Sequence, residues 1–294
     1  MKENIPVYSI DKFKSKPNSY EHFQVEVFDA TRHFDVAYPH RHDFFEVLFL
    51  TKGSGRHIID FQEYEIKANS IFFLSPGQIH TVDVSKDIEG FIFLFTSEFY
   101  LLNKQNKNKL LELPFFYSLS NETPPIYLEQ SEDIRLLTDL FARGSKEITR
   151  EDVDTPEIIS ALLDLILLSC NRLYKAPSLP HDTPVAKMLI KRFKQLLEEN
   201  YQNNFSVADY ASSLAVTASH LTDTIKRVTG KTSSDLINEK VILESKRLLI
   251  YTAMSATEIA DYLGFKDQSY FTRYFRKLTG STPLDYRRRS GKST

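Results

Sequence analysis

The chain has 294 residues, 41% of them hydrophobic and 26% charged, with a formal net charge of −2. This is the balance of an ordinary globular protein, and the length suffices for two domains with separate cores. A single cysteine excludes an intramolecular disulfide and a cysteine-only metal cage, which suits a reducing cytoplasm. The amino terminus shows no apolar leader, and the longest apolar run, 161–168, is broken by Asp164 and is far shorter than the ~20 residues a bilayer requires. Neither secretion nor membrane insertion is expected.

Residues ~20 to 100 read as β-structure. Runs rich in Phe, Val and Ile at 44–50, 57–61, 71–74 and 90–95 alternate with turn signals at 52–55 and 75–77. Short strands at this spacing predict a barrel or sandwich of jelly-roll type within residues 1–130. If 39–50 forms one strand, His40, His42, Phe44, Glu46 and Leu48 share a face. Two imidazoles and a carboxylate at i, i+2 and i+6, joined by His80 from another strand, suit Fe(II), Mn, Ni or Zn. That set would serve a metal-dependent oxygenase or isomerase. The same groups can instead line a pocket for a small organic ligand, or be structural. Tyr38, Arg41 and Gln78 are further polar candidates for a pocket, although alternation puts Arg41 on the opposite face from His40.

Residues 131–175 switch to helical spacing, with Ile158, Leu162 and Leu165 on one set of intervals and Ile159, Leu163, Ile166 and Leu173 on another. Thr155-Pro156 supplies a start, because proline is favoured at the first helical position. The apolar surface is wider than one core stripe requires, so a dimer contact is expected here, the alternative being a helix that only packs on the barrel. Cys170 lies in this apolar helix and reads as packing rather than a reactive thiol. Residues 176–184 hold three prolines and read as an extended linker.

From 185 to the end the pattern is all-helical and the charge inverts. That part carries 18 Lys and Arg against 11 Asp and Glu, a net of +7, leaving −9 for the remainder. A basic third favours a polyanionic partner. The same part contains an internal repeat: 206–214 aligns with 255–263, and 221–230 with 271–280. The offset grows by one residue between the halves, so one residue is inserted in the turn. Each copy reads as a helix-turn-helix, over ~206–229 and ~255–279, joined by a helical pattern over 233–252 that at about 20 residues is ~30 Å long. The spacing of successive major grooves on one face of DNA is ~34 Å.

Ser206 and Ser255 are candidate N-caps with Asp209 and Glu258 three residues on, and Glu258 fits a capping box. Ala211 and Ala260 let paired helices approach. Ala215-Val216 and Gly264-Phe265 form the corners, where Gly264 readily takes the left-handed conformation. In the second helices, at 218–229 and 267–279, Leu221, Ile225 and Val228 match Phe271, Phe275 and Leu278 as buried faces. Such helices enter the major groove. The outward residues are Thr217, Ser219, His220, Thr222, Lys226 and Arg227 in one copy, and Lys266, Gln268, Ser269, Tyr270, Thr272, Arg273, Arg276 and Lys277 in the other. Arg273 can fork onto guanine and Gln268 can pair an adenine edge. Lys226, Arg227, Arg276 and Lys277 lie farther along and suit phosphates. Asp223 occupies the place of Arg273, which makes the first copy the poorer reader, although a carboxylate can accept from cytosine.

The C-terminal ~110 residues resemble the AraC/XylS family of bacterial transcription regulators through Ala260-Asp-Tyr-Leu-Gly-Phe265, Gln268-Ser-Tyr-Phe-Thr-Arg-Tyr-Phe-Arg-Lys-Leu-Thr-Gly280 and Thr282-Pro-Leu-Asp-Tyr-Arg-Arg288. The resemblance implies a tandem helix-turn-helix that binds double-stranded promoter DNA and most often activates RNA polymerase. The N-terminal ~100 residues resemble the cupin-type effector domain often attached to that module, through Pro39-His-Arg-His-Asp-Phe-Phe-Glu46, Gly53-Ser-Gly55 and Ser75-Pro-Gly-Gln-Ile-His80. This implies a small-molecule effector and a homodimer formed by helices after the barrel. The expected molecule is an α+β multidomain protein: a cupin-like barrel at 1–130, a helical dimerisation segment at 131–175, a linker at 176–184 and an all-α DNA-binding domain at 185–294. Tyr38, His40, His42, Glu46 and His80 are its candidate effector residues, with no cofactor expected and a metal held by the three histidines and Glu46 as the alternative. No Gly-rich phosphate loop, nucleophile elbow or serine triad is present in the sequence, so an enzyme is not expected; a metal-dependent enzyme with a DNA-binding tail and a constitutive regulator whose barrel only dimerises are the competing readings.

Overall fold

The computed structural model describes residues 5–14, 20–31, 39–102, 104–106, 108–117, 123–174 and 183–290. The chain divides into two compact units, Pro6–Pro177 and Ser178–Thr294. Tyr38 and most of the proline-rich stretch expected as a linker lie outside the described residues.

In the first unit the elements run β1 (Val7–Tyr8), a 3-10 turn (Ile10–Phe13), β2 (Phe23–Asp29), β3 (Arg41–His42), β4 (Phe45–Lys52), β5 (Gly55–Ile59), β6 (Gln62–Ile66), β7 (Ser70–Leu74), β8 (His80–Val84) and β9 (Glu89–Phe95). Then come α1 (Ser97–Leu101), α2 (Lys109–Glu112), β10 (Ile126–Tyr127), α3 (Ser131–Glu147) and α4 (Thr155–Leu173). The main sheet has the order β10-β7-β4-β9-β2 and a smaller one the order β6-β5-β8, with antiparallel neighbours throughout both. The pair β1–β3 is parallel.

Alternation along β4 divides the core. Phe45, Val47 and Phe49 join Leu137 and Phe141 of α3 and Ile159, Leu163 and Ile166 of α4 in one buried cluster. Leu48 and Leu50 belong to a second cluster with Ile59, Phe72, Leu74 and Ile92, which fills the space between the sheets. The single strand expected over 39–50 does not form. The N–H groups of Arg41 and Asp43 donate to Pro6 O and Tyr8 O, and only from Phe45 does the chain pair with β7 and β9. The change of backbone partner breaks the strand at Asp43 and Phe44.

The double apolar surface of α4 is real. Ile159, Leu163, Ile166 and Leu167 are fully buried, whereas Ile158, Leu165 and Leu168 remain 39%, 53% and 42% exposed. Cys170 is buried and unpaired with any other cysteine.

The second unit is helical: α5 (Pro184–Asn200), a 3-10 turn (Tyr201–Asn203), α6 (Val207–Ser213), α7 (Ala218–Thr229), α8 (Ser233–Tyr251), α9 (Ala256–Tyr262), α10 (Gln268–Thr279) and α11 (Pro283–Ser290). Thr183 and Pro184, expected at the end of the linker, instead start α5, with the Thr183 hydroxyl accepting from Ala186 N. The repeat is structural as well as textual. Ser206 and Ser255 cap α6 and α9, each in a complete capping box, so Asp209 does what was expected only of Glu258. Gly230 and Gly280 close α7 and α10 in the left-handed conformation, with φ of 75° and 78°. Val216 N donates to Ala211 O and Phe265 N to Ala260 O, so the corners are bonded alike. The inserted residue is Lys266, which precedes the N-cap Asp267.

One equivalence fails. Val228 is buried, but Leu278 is 41% exposed. The helix α7 packs on both α5 and α8, whereas α10 meets α8, α9 and the short α11, and α11 brings Tyr286 against Phe275 rather than a cover over Leu278.

The corners also differ in strain. Ala215 and Gly264 both have positive φ, 55° and 72°, and only glycine takes that conformation without penalty. Replacing Ala215 with Gly is expected to stabilise this unit by up to about 1 kcal/mol. Gly264→Ala is expected to cost about 1–3 kcal/mol, because a Cβ there would meet the Gln202 carbonyl oxygen at 2.4 Å. Urea titration of the full chain, read at the transition of the helical unit, checks both signs.

Candidate functional site

Among the described residues, two places collect chemistry-bearing side chains. The first is the outward surface of α7 and α10. Thr217, Ser219, His220, Lys226 and Arg227 are exposed, as are Lys266, Gln268, Ser269, Tyr270, Arg273, Arg276 and Lys277; Thr222 and Thr272 are half-buried. The pattern follows from helical periodicity. Leu221, Ile225, Phe271 and Phe275 are fully buried, which leaves the opposite face to solvent.

Among the described residues, none of Lys226, Arg227, Lys266, Arg273, Arg276 and Lys277 is held in a salt bridge. Their charges therefore remain available to a polyanion. Several polar neighbours are already engaged. Thr217 caps α7 by accepting from His220 N at 3.1 Å, and Thr222 Oγ1 lies 3.2 Å from Ser233 Oγ. Ser219 Oγ donates to Asp223 Oδ2 at 3.2 Å. The Thr257 hydroxyl donates to Gln268 Oε1 at 2.9 Å, which leaves the Gln268 amide hydrogens for another acceptor. Of the two helices, α10 thus presents the more basic and less encumbered face.

One residue escaped functional notice in the sequence. Arg287 on α11 donates from Nε to Leu249 O at 2.7 Å and from Nη2 to Thr252 O at 3.2 Å and Met254 O at 2.7 Å. It satisfies carbonyls at the end of α8 and the start of the next loop, where no intrahelical donor exists, and so fixes how the second motif leaves α8. A basic run at 287–289 signals charge in a sequence, and only the fold reveals a carbonyl clamp.

The second place is the barrel interior. His40, His42, Glu46, His57 and His80 are all buried. His57 Nε2 lies 3.1 Å from His80 Nδ1, and His80 Nε2 lies 3.1 Å from His40 Nε2. His42 Nδ1 lies 2.7 Å from Phe44 O, which makes it the protonated nitrogen. Its Nε2 has no hydrogen-bond partner and faces Glu46 Oε2 at 3.6 Å. Burial pushes the Glu46 carboxyl up to about 8. Burial, reinforced by His40, holds the His42 and His57 imidazoles down at about 3, and burial lowers His80 well below its ordinary value. His42, Glu46, His57 and His80 therefore carry little charge of their own near neutral pH.

The N-terminal segment closes over these rings. Phe13 lies 5.6 Å from His40 and 6.4 Å from His42, and Tyr8 lies 5.5 Å from His40, measured between ring centres. Of the other pocket candidates, Gln78 accepts from Ser75 N at 2.7 Å and donates toward Asp60 at 3.4 Å, so it holds its own loop. Arg41 is half-buried and pairs with Val7 across the short ladder. His57 belongs with the expected histidines although sequence reasoning passed over it. The available signal was alternation, which puts His57 and Ile59 on one face of β5. A cavity of about 10 Å³ is lined by Glu46, His57 and His80 together with Phe13, Phe28, Leu48, Val82 and Ile92. That is room for one water-sized occupant. The ligating atoms of His42, Glu46 and His80 lie within 4.8 Å of one another, and a nitrogen–nitrogen–oxygen donor set fits a first-row transition-metal ion.

A family model described as a helix-turn-helix domain matches residues 210–289, and one described as an AraC-like ligand binding domain matches residues 22–167. An uncharacterized HTH-type transcriptional regulator, YfiF of Bacillus subtilis, is 24% identical over 265 residues, covering 86% of this chain and 79% of that protein. The HTH-type transcriptional activator RhaR of Yersinia pestis is 24% identical over 261 residues, covering 85% and 84% respectively. Among solved structures, ToxT of Vibrio cholerae is 18% identical, with 90% of this chain and 98% of that one covered and a TM-score of 0.40. The C-terminal domain of AraT, a response regulator from Geobacillus stearothermophilus, is 26% identical over 36% of this chain and 85% of that one, with a TM-score of 0.33.

Removing the carbonyl clamp tests its part. Arg287→Ala is expected to destabilise the helical unit by about 2 kcal/mol, the scale of a lost charge-assisted hydrogen bond in a partly exposed setting. It should weaken binding to all DNA sequences alike. Thermal unfolding together with binding to two unrelated duplexes measures both effects.

Proposed function

This chain belongs to the AraC family of transcription regulators, with a ligand-binding N-terminal domain and a helix-turn-helix DNA-binding domain, and from that premise we propose a homodimeric promoter-binding activator governed by a small effector in the barrel. The observation that carries the DNA contact is the pair of like-capped helices α7 and α10, whose exposed faces hold Lys226, Arg227, Gln268, Arg273, Arg276 and Lys277. The helix α8 that joins the motifs has 19 residues and is about 28 Å long, close to the ~34 Å between successive major grooves on one face of the duplex. In this reading Arg273 and Gln268 contact base edges, with Ser269, Tyr270 and Lys266 beside them. Thr217, Ser219, His220 and Thr222 line the first groove, and the remaining basic residues grip phosphates.

Activation, and hence contact with RNA polymerase, is inferred from relatives named as activators. A cytoplasmic location follows from the DNA partner; among the described residues no helix is long and apolar enough to cross a membrane. The dimer rests on α4. Ile158, Ala161, Leu165 and Leu168 are exposed along it at steps of three and four, the spacing of a coiled-coil seam, and a symmetric mate would cover them. Effector binding then shifts the population of dimer arrangements that fit paired half-sites.

Arg273→Ala is expected to cost ~1–3 kcal/mol and relax preference at one base position; a selection of random duplexes that returns the wild-type profile removes Arg273 as a reader. Lys277→Ala should lower affinity for every sequence and flatten the salt dependence by about one phosphate contact. Leu165→Glu should convert the dimer to monomer in sedimentation and weaken binding to paired half-sites far more than to a single one.

A further inference from the structure

We propose that Thr257 is a positioning residue for base readout by the second helix-turn-helix: its hydroxyl holds the side-chain amide of Gln268 in the orientation that reads adenine. The inference rests on the reading above, in which Gln268 contacts a base edge.

Three observations carry it. The first is the contact itself. Thr257 lies in the first turn of α9 and Gln268 is the first residue of α10. The Thr257 hydroxyl donates to Gln268 Oε1 at 2.9 Å, and both side chains are exposed. One lone pair of Oε1 is thus taken, while the other and both amide hydrogens stay available. A donor and an acceptor side by side match adenine, which shows N7 as acceptor and its N6 amino group as donor in the major groove. Guanine shows two acceptors there and would meet the amide oxygen with its own O6.

The second is the rigidity of the donor. A β-branched threonine on a helix has few rotamers, and α9 is fixed by the complete capping box of Ser255 and Glu258. The corner bond from Phe265 N to Ala260 O, 2.9 Å long, ties α9 to the approach to α10. Glutamine alone is a flexible side chain that loses much rotamer freedom on ordering. Its amide can also turn end over end, which exchanges donor and acceptor. A hydrogen bond from a fixed hydroxyl removes part of that freedom before DNA arrives.

The third is the other copy of the repeat. Ala208 stands where the second motif has Thr257, and Ala218 where it has Gln268. The first motif nevertheless forms the same capping box at Ser206 and the same corner bond, from Val216 N to Ala211 O at 3.0 Å. A helix-turn-helix of this chain therefore folds without the pair. What the pair changes is the exposed start of α10, in the motif that also carries Arg273 in place of Asp223.

The test uses the full-length chain, a duplex selected by it, and variants of that duplex at each base position. Gln268→Ala locates the position that Gln268 reads, where adenine should be preferred. Thr257→Ala, which installs the residue of the first motif, and Thr257→Val, close in shape, should each lower that preference about 3- to 10-fold, the scale of one hydrogen bond. Preference at the Arg273 position, the salt dependence and the unfolding temperature of the helical unit should stay as in wild type. Thr257→Ser, which keeps the hydroxyl, should retain the preference. Added to Gln268→Ala, the change Thr257→Ala should have no further effect. Unchanged preference in folded Thr257→Ala and Thr257→Val overturns the proposal, as does a loss spread over all sequences, additivity in the double variant, or a base other than adenine at that position. If Arg273→Ala relaxes one position while Thr257→Ala relaxes none, this proposal fails and the DNA reading stands. If no variant of α10 alters any base preference, both fail.

Discussion

Strand β4 is covered on both faces, and its alternate residues must suit two different neighbours. Phe45, Val47 and Phe49 pack under α3 and α4, while Glu46, Leu48 and Leu50 turn into the space between the sheets. A slip of one residue would exchange the two sets and drive Glu46 into an aromatic layer with no polar partner. The register of β4 against β7 and β9 is therefore held by what it would cost to lose it. That register places Glu46 beside His42 and, by fastening α4 with one apolar stripe, leaves the other stripe outward. The buried polar cluster and the exposed stripe of α4 are two consequences of one strand's two faces.

The helical unit solves a different problem, which is to present two short helices in a fixed relation. Neither α6 nor α9 exceeds seven residues, and helices so short are not stable alone. Capping boxes at Ser206 and Ser255, left-handed closures at Gly230 and Gly280 and the shared helix α8 supply the missing constraint. Within α8 an ion pair, Glu244 with Arg247 at 2.8 Å, is almost fully buried. Such a pair adds little net stability, and its value lies in permitting few alternative packings. The separation of charge follows the same division: the basic excess lies in the helical unit, where among the described residues no salt bridge takes up the cations of α10.

The barrel interior shows how far a cluster of titratable groups can be neutralised by burial alone. Four imidazoles and a carboxyl share a space that excludes solvent, and His42, His57, His80 and Glu46 are each displaced toward the uncharged form. Gln24 and Glu26 add a further buried polar pair on β2, with the Gln24 amide donating to Glu26. An interior with this much polarity is expensive to fold for packing alone.

Much was legible from residue order alone. The duplicated motif, its caps, the corner at Gly264 and the two stripes of α4 all follow from spacings of two, three or four residues. Over such distances local hydrogen bonding and sterics decide the outcome. Other features were settled only by tertiary structure. The break at Asp43 and Phe44 depends on backbone partners from Pro6 and Tyr8, far away in the chain. The exposure of Leu278 depends on where α11 packs, against Phe275, the task of Arg287 on where α8 ends, and the membership of His57 on which sheet faces which. The lining of the small cavity comes from side chains on five strands and the N-terminal turn. Periodicity says which way a side chain points; what it meets there is a property of the folded whole.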